Sequence, residues 1–264
     1  MECSPELRIL KSIEKEMSQI PGHLGMYYKN LITGFEYGVR DDEAFLAASV
    51  IKLPLFLHLL KQQAAGEISL DEKITVLEED KVPVCGALTL FTGEVEADLR
   101  TLCRLMISIS DNTATNVLIK YCGIDAANKS FREMGLENTV LRRCLFDSAA
   151  SAAGIQNTIC PREIGALLEK LYRNEFLSAE VCKEAIDVLM LQQVNHKLDG
   201  KINGEVDIAH KTGEDDTLSN DVGIVYAPQP FVICFAGHDT DVYRWEDLIR
   251  RGTYDLVCAQ RGEI

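Results

Sequence analysis

The chain lacks most of the features that would place it at a glance. No apolar run reaches the ~20 residues needed to cross a bilayer, so a membrane-spanning role is not expected. Nine cysteines are present, an odd number with no Cys-x-x-Cys pair, and they spell neither a disulfide framework nor a thiolate zinc site. The five histidines, at 23, 58, 196, 210 and 238, are scattered without ligand spacing and read as structural. No metal or organic cofactor is implied. Glycine-rich phosphate loops, a dinucleotide fingerprint, internal repeats and low-complexity tracts are all missing. Positive charge is scarce: 27 Lys and Arg against 41 Asp and Glu give a net charge of −14. That balance disfavours nucleic acid and acidic lipid surfaces as partners. The opening Met1-Glu2-Cys3-Ser4-Pro5-Glu6-Leu7-Arg8 has no basic segment followed by an apolar one, as an export signal would. Together with the unpaired thiols this predicts a reducing, cytoplasmic location; a leader removed upstream would leave export open.

What is present is an ordinary globular composition, 47% hydrophobic over 264 residues, enough for a large core. Periodicity predicts a helix near 5–19, then strands at 24–30 and 35–39 joined by the turn Thr33-Gly34. Helices follow at 49–64, 98–109, 113–122, 124–134, 161–173 and 178–191. Strands return at 205–212, 220–227 and 231–237, and a last helix covers 242–260. Strands at both ends with helices between them predict an α/β (α+β) fold. An antiparallel sheet would be flanked by the terminal helices, with an all-helical lobe inserted. The expected division is 1–45 with 200–264 as the sheet lobe and 46–199 as the helical lobe, the active site lying in the cleft between. Cys103, Cys182, Cys234 and Cys258 sit in apolar contexts and read as small core residues.

Three short motifs carry the chemistry: Ser49-Val50-Ile51-Lys52, Ser110-Asp111-Asn112 and Lys211-Thr212-Gly213. A serine hydroxyl needs a neighbouring base to act as a nucleophile. Ser49 heads an apolar run that reads as a buried helix, and positions i and i+3 share a face. Burial and the positive helix end would lower the proton affinity of Lys52, so Lys52 can take the Ser49 proton. Ser110-Asp111-Asn112 lies between two helix-like runs. It makes a good capping turn, and it also supplies a hydroxyl to relay a proton and an amide to hold substrate or Lys52. Lys211-Thr212-Gly213 ends an alternating, strand-like stretch; a glycine on an edge strand lets another backbone approach.

The motif set resembles that of class A β-lactamases and the related penicillin-recognising serine enzymes, for which these three motifs are diagnostic. Their order and gaps agree with the family, and the likeness runs over roughly residues 20–260, including Ser110 to Leu118 and Ser219 to Ile224. The resemblance implies an acylated Ser49, proton handling by Lys52 and Ser110, and a positive potential from Lys211. It further implies substrate contacts from Asn112, Thr212 and Gly213, and an oxyanion hole from the backbone N–H groups of Ser49 and Glu214. The expected partner is a small molecule with a lactam, amide or ester carbonyl. The expected reaction is serine acyl hydrolysis of a β-lactam. A non-β-lactam esterase, a D-amino-acid peptidase or amidase, and a penicillin-binding module that acylates without efficient release are the alternatives.

Two departures bear on that expectation. The family carries a glutamate that activates the deacylating water, in a loop that should fall near 142–161. Here an ungapped reading puts Leu145 at its place, and Asp147 is the only carboxylate in the segment 142–157. Asp147 is therefore a candidate base, or else a turn residue. In addition, Glu214-Asp215-Asp216 follows the third motif, and the two neighbouring strands contain no Arg or Lys to meet a substrate carboxylate.

Overall fold

A computed structural model describes residues 4–264. Helix α1 (Pro5–Met17) starts where Ser4 caps Leu7 N–H and proline occupies the first turn, and it buries Leu10, Ile13 and Met17 along one face. It packs against α9 (Val242–Arg261), which begins at the Asp241 cap and stops at Gly262 in the left-handed conformation. Gly252 permits the close approach: a Cβ there would lie 2.7 Å from Ile13 Cδ1.

These two helices cover one face of a five-stranded antiparallel sheet. Its strands are β1 (His23–Asn30), β2 (Glu36–Val39), β7 (Ile208–Asp215), β8 (Leu218–Val225) and β9 (Phe231–His238), in the order β2-β1-β9-β8-β7. β8 is buried along its whole length and β9 nearly so, because both faces of the sheet are covered. Met26, Tyr28, Phe235 and Trp245 belong to the core under α1 and α9. Tyr27, Val222, Cys234 and Ala236 point into the other core, as the two-residue strand period requires.

That second core is helical. The elements around it are α2 (Lys52–Ala64), α3 (Leu99–Ser108), α4 (Asn112–Cys122), α5 (Ile124–Met134), the short α6 (Ser148–Ala152), α7 (Pro161–Tyr172) and α8 (Ala179–Leu189). α2 is buried without interruption from Lys52 to Leu60, which is why its sequence is apolar all round. Two small antiparallel pairs complete the fold: β3 (Phe45–Leu46) with β6 (Thr158–Ile159), and β4 (Lys73–Val76) with β5 (Val95–Asp98).

The expected architecture is present, with an antiparallel sheet between the terminal helices and helices over its other face. Two local expectations are corrected, and two small strand pairs are additional. The strand expected at 205–212 runs from Ile208 to Asp215, so Lys211-Thr212-Gly213 lies inside β7 rather than at its end. The helix expected to begin at 49 opens instead with a 3-10 turn, Ala48–Ile51, and α2 proper starts at Lys52. The short pairs β3/β6 and β4/β5 were not expected. No helix among the described residues is long and apolar enough to cross a membrane.

Candidate active site

The site forms where the turn before α2, the α3–α4 junction and the edge strand β7 meet. Ala48 has φ 39°, an uncommon conformation for a residue with a Cβ. Such strain survives only where the surroundings enforce it. Here Asn220 on β8 does so, donating from Nδ2 to Leu46 O at 2.9 Å and Ala47 O at 3.1 Å. Its Oδ1 accepts Gly237 N–H at 2.9 Å. One asparagine thus ties the chain entering the Ser49 turn to the centre of the sheet. Ser49 is half-buried, and its carbonyl accepts the Lys52 backbone N–H.

Lys52 has no exposed surface. Its Nζ donates to Ser110 O at 2.8 Å, Ser110 Oγ at 3.0 Å and Asn112 Oδ1 at 2.7 Å. No carboxylate touches it. Burial pushes its pKa well below the ordinary lysine value, and the neighbouring Lys211 charge adds to the effect. Ser110 reaches both lysines because it too adopts a left-handed conformation, φ 57°. Its Oγ accepts from Lys211 Nζ at 3.2 Å as well as from Lys52. Asp111 caps α4 through Ala114 N–H and accepts Ala87 and Leu88 N–H at 2.7 and 3.0 Å, pinning the loop 84–88 over the junction. Both ends of the Asn112 amide are engaged, Oδ1 by Lys52 and Nδ2 by Val84 O at 2.8 Å.

On β7, Lys211 is fully buried and its Nζ also donates to Thr212 O at 2.8 Å. Burial, followed by the charge of Lys197, lowers its pKa to about 7. Gly213 lies against the nucleophile turn: a Cβ there would be 3.1 Å from Ser49 N and 3.0 Å from Ala47 O. The glycine is what lets the strand edge and the Ser49 amide sit side by side. Thr212 is buried beside Lys211. The structure therefore joins Lys52, Ser110, Asn112 and Lys211 by direct hydrogen bonds, and it brings Ser49 and Gly213 together by backbone approach.

Lys197 is a further cation beside the site, and the neighbouring strands do not supply it. It comes from the segment before β7, has no exposed side-chain surface, and lies 2.7 Å from Glu214 Oε1. Asp221 holds that segment by accepting Leu198 N–H at 3.1 Å while pairing with His210 Nδ1 at 2.9 Å. His210 also faces Asn195 Oδ1 at 3.2 Å, a fully structural set of contacts. Nothing in the spelling His196-Lys197-Leu198 signals a buried ammonium. The Glu214 carboxylate is drawn towards Lys197, with His196 Nε2 at 3.4 Å. Asp215 and Asp216 are exposed at the β7–β8 turn.

The segment 142–157 is closely held. Asn157 Oδ1 accepts Arg142 and Arg143 N–H, and its Nδ2 donates to Arg143 O. Asn116, one turn along α4 from Asn112, clamps Leu145 from both sides: Nδ2 to Leu145 O at 2.9 Å, and Leu145 N–H to Oδ1 at 2.8 Å. Asp147 is exposed, and its Oδ1 caps α6 through Ala150 N–H at 2.9 Å. None of its hydrogen bonds joins the lysine–serine network. Glu163 is in the first turn of α7. It spends its carboxylate on the N–H groups of Glu137, Asn138 and Thr139.

A buried amine pair bridged by one hydroxyl, beside a half-exposed serine at a strained turn, is the equipment of a serine acyl-transfer site. The comparisons agree with that class. The beta-lactamase enzyme family matches residues 8–251, and the chain belongs to that family, as a class A β-lactamase-like serine enzyme. A beta-lactamase of Rhodobacter capsulatus is 28% identical over 179 residues, which cover 67% of this chain and 61% of that protein. Beta-lactamase AER-1 of Aeromonas hydrophila is 25% identical over 232 residues, 86% of this chain and 76% of that one. Among solved structures, PBP-A superposes with a TM-score of 0.87 at 30% identity, covering 97% of this chain and 96% of its own. A beta-lactamase from Sphaerobacter thermophilus gives 0.85 at 26%, covering 100% and 99%. A leucine-to-glutamate mutant of PBP-A was solved as its acyl-enzyme complex with penicillin G.

Proposed function

We propose that Ser49 is acylated by the carbonyl of a β-lactam or a related amide or ester, and that the acyl group leaves slowly. The observation that carries this reading is the bridge Lys52–Ser110–Lys211, with Ser110 Oγ 3.0 and 3.2 Å from the two amines. Lys52 accepts the Ser49 proton as Oγ attacks. The Ser49 and Glu214 N–H groups hold the carbonyl oxygen as it becomes negative, each such donor contributing about 3 kcal/mol. When the C–N or C–O bond breaks, the Ser110 hydroxyl protonates the leaving atom and regains a proton from the lysines. Lys211 and Lys197 attract a substrate carboxylate; the pull of Lys197 on Glu214 reduces the repulsion that an acid after Lys-Thr-Gly would otherwise cause. Asn112 positions Lys52, and Thr212 and Gly213 line the strand along which substrate lies.

Slow release follows from the 142–157 segment. Leu145 stands where the family places its water-activating acid, and the Asp147 carboxylate is used as a helix cap. The test is a chromogenic cephalosporin followed over time. One equivalent of colour and then a plateau supports an acylating enzyme that stalls. Sustained turnover overturns the slow-release half of the reading. No colour, with cleavage of a p-nitrophenyl ester that disappears in Ser49→Ala, replaces the β-lactam with an ester substrate.

A further inference from the structure

The ammonium of Lys197 already holds a carboxylate. Its side chain has no exposed surface, and its Nζ donates to Glu214 Oε1 at 2.7 Å, its one hydrogen-bond partner among the described residues. Burial first and the Lys197 charge second lower the pKa of Lys211, so that charge reaches the site. Glu214 follows Lys211-Thr212-Gly213 directly on β7. Side chains two apart on a strand share a face, so the Glu214 carboxylate is on the same side of β7 as Thr212, on the strip that the proposed function gives to substrate.

The pair is unequal. Lys197 is enclosed, whereas 44% of the Glu214 side-chain surface is exposed, so the carboxylate covers the ammonium and is the partner free to move. No cation follows along this edge: Asp215 and Asp216 come next and are exposed, and β8 and β9 contain no Lys or Arg. Glu246 stands behind the pair, its Oε1 3.5 Å from His196 Nε2 and held by Ser219 Oγ at 2.9 Å. A substrate carboxylate reaches Lys197 only by displacing Glu214, and it then stands beside an acid of like charge. A substrate with no carboxylate leaves the buried ammonium paired, which avoids the cost of an uncompensated charge.

We propose that Glu214 is a specificity residue, an internal anion that competes with a substrate carboxylate for Lys197, so that the site favours esters or amides carrying no negative charge at the end that lies along β7. This selection rests on acylation of Ser49 as proposed above and narrows its substrate class. It is exerted by the Glu214 side chain and is separate from the backbone N–H that Glu214 offers to the oxyanion.

The experiment compares penicillin G with its methyl ester, the same lactam with and without the carboxylate. The readout is the second-order rate of Ser49 adduct formation by the intact protein, followed by mass spectrometry. In the wild type the ester is expected to react at least as fast as the acid. Glu214→Gln keeps the backbone N–H and an amide oxygen for Lys197, and it should raise the acid-to-ester rate ratio by about tenfold or more. Adding Lys197→Gln should cancel that rise. A wild type that prefers the acid, a ratio unmoved in Glu214→Gln, or a rise that survives the loss of Lys197 overturns the selection while leaving acylation of Ser49 standing. Failure of both compounds to label Ser49, in the wild type and in Glu214→Gln alike, overturns the acylation itself and the selection with it.

Discussion

Lys52 and Lys211 have no exposed surface and no carboxylate within hydrogen-bonding reach, and burial is the largest cause of the lowered pKa of each. Desolvation lowers the proton affinity of a buried amine and so favours its use as a base. Lys52→Ala should therefore slow acylation by about 10²–10⁴-fold, measured as the second-order rate of adduct formation, whereas Asp147→Ala should leave that rate within a factor of two to three. Equal losses would remove Lys52 from the role of first base. Burial lowers the Lys211 pKa to about 7, and the proposed attraction of substrate needs it protonated. Acylation should then fall on the alkaline side of neutrality, and Lys211→Arg, which stays charged, should move that limb upward. The limb belongs to the coupled pair rather than to one residue. At this scale the sequence was informative where a motif names the atom: Lys52, Ser110 and Lys211 meet through hydrogen bonds, and Gly213 lies against the Ser49 amide. It was silent on Lys197, whose importance comes from burial by residues far away in the chain, and on Asn220, whose work is done by its two amide ends across the sheet.

The strand β7 and the loop 142–157 act as units. Gly213 holds the β7 edge against the Ser49 turn, where a methyl group would press on Ala47 O and Ser49 N at 3.0 and 3.1 Å. Gly213→Ala should force the two apart, misplace the oxyanion donors and reduce acylation by about 10²-fold or more, with thermal stability changed far less than in a core truncation. An unaltered rate would mean that this approach is not part of the catalytic geometry. The double clamp of Asn116 on Leu145 fixes one backbone position beside α4. Placing a carboxylate there, in Leu145→Glu, should speed loss of the acyl group, read as a plateau that becomes turnover, while Asp147→Asn should not alter release. Long amphipathic segments were legible: α1 and α9 follow their periodicity closely, and β8 and β9 are present, β8 two residues earlier than expected. The β4 and β5 strands escaped because four residues each, mixed in burial, are too short to give a period to read. The β7 boundary slipped because the polar Glu214 and Asp215 continue the ladder past the apolar stretch.

Across the whole molecule, the buried lysines couple stability to pH. The unfolded chain protonates Lys211 near the ordinary value of 10.5, whereas the folded chain does so only near 7. Between those limits the unfolded state binds the extra proton, so stability rises with pH through that window, by at most about 1.4 kcal/mol per unit for this group. Chemical denaturation from pH 7.5 to 9.5 should show the wild type gaining on Lys211→Met; parallel curves would mean that Lys211 is not desolvated as described. In the proposed function, the same burial that burdens the fold prepares Ser49 to react, and that link is its central claim. Its most direct test is intact-protein mass spectrometry with peptide mapping after penicillin G is mixed with the protein at neutral pH. One covalent equivalent on Ser49, absent from Ser49→Ala and formed far more slowly by Lys52→Ala, is the predicted result. A protein that stays unmodified, or an adduct that persists when Ser49 is replaced, would contradict it.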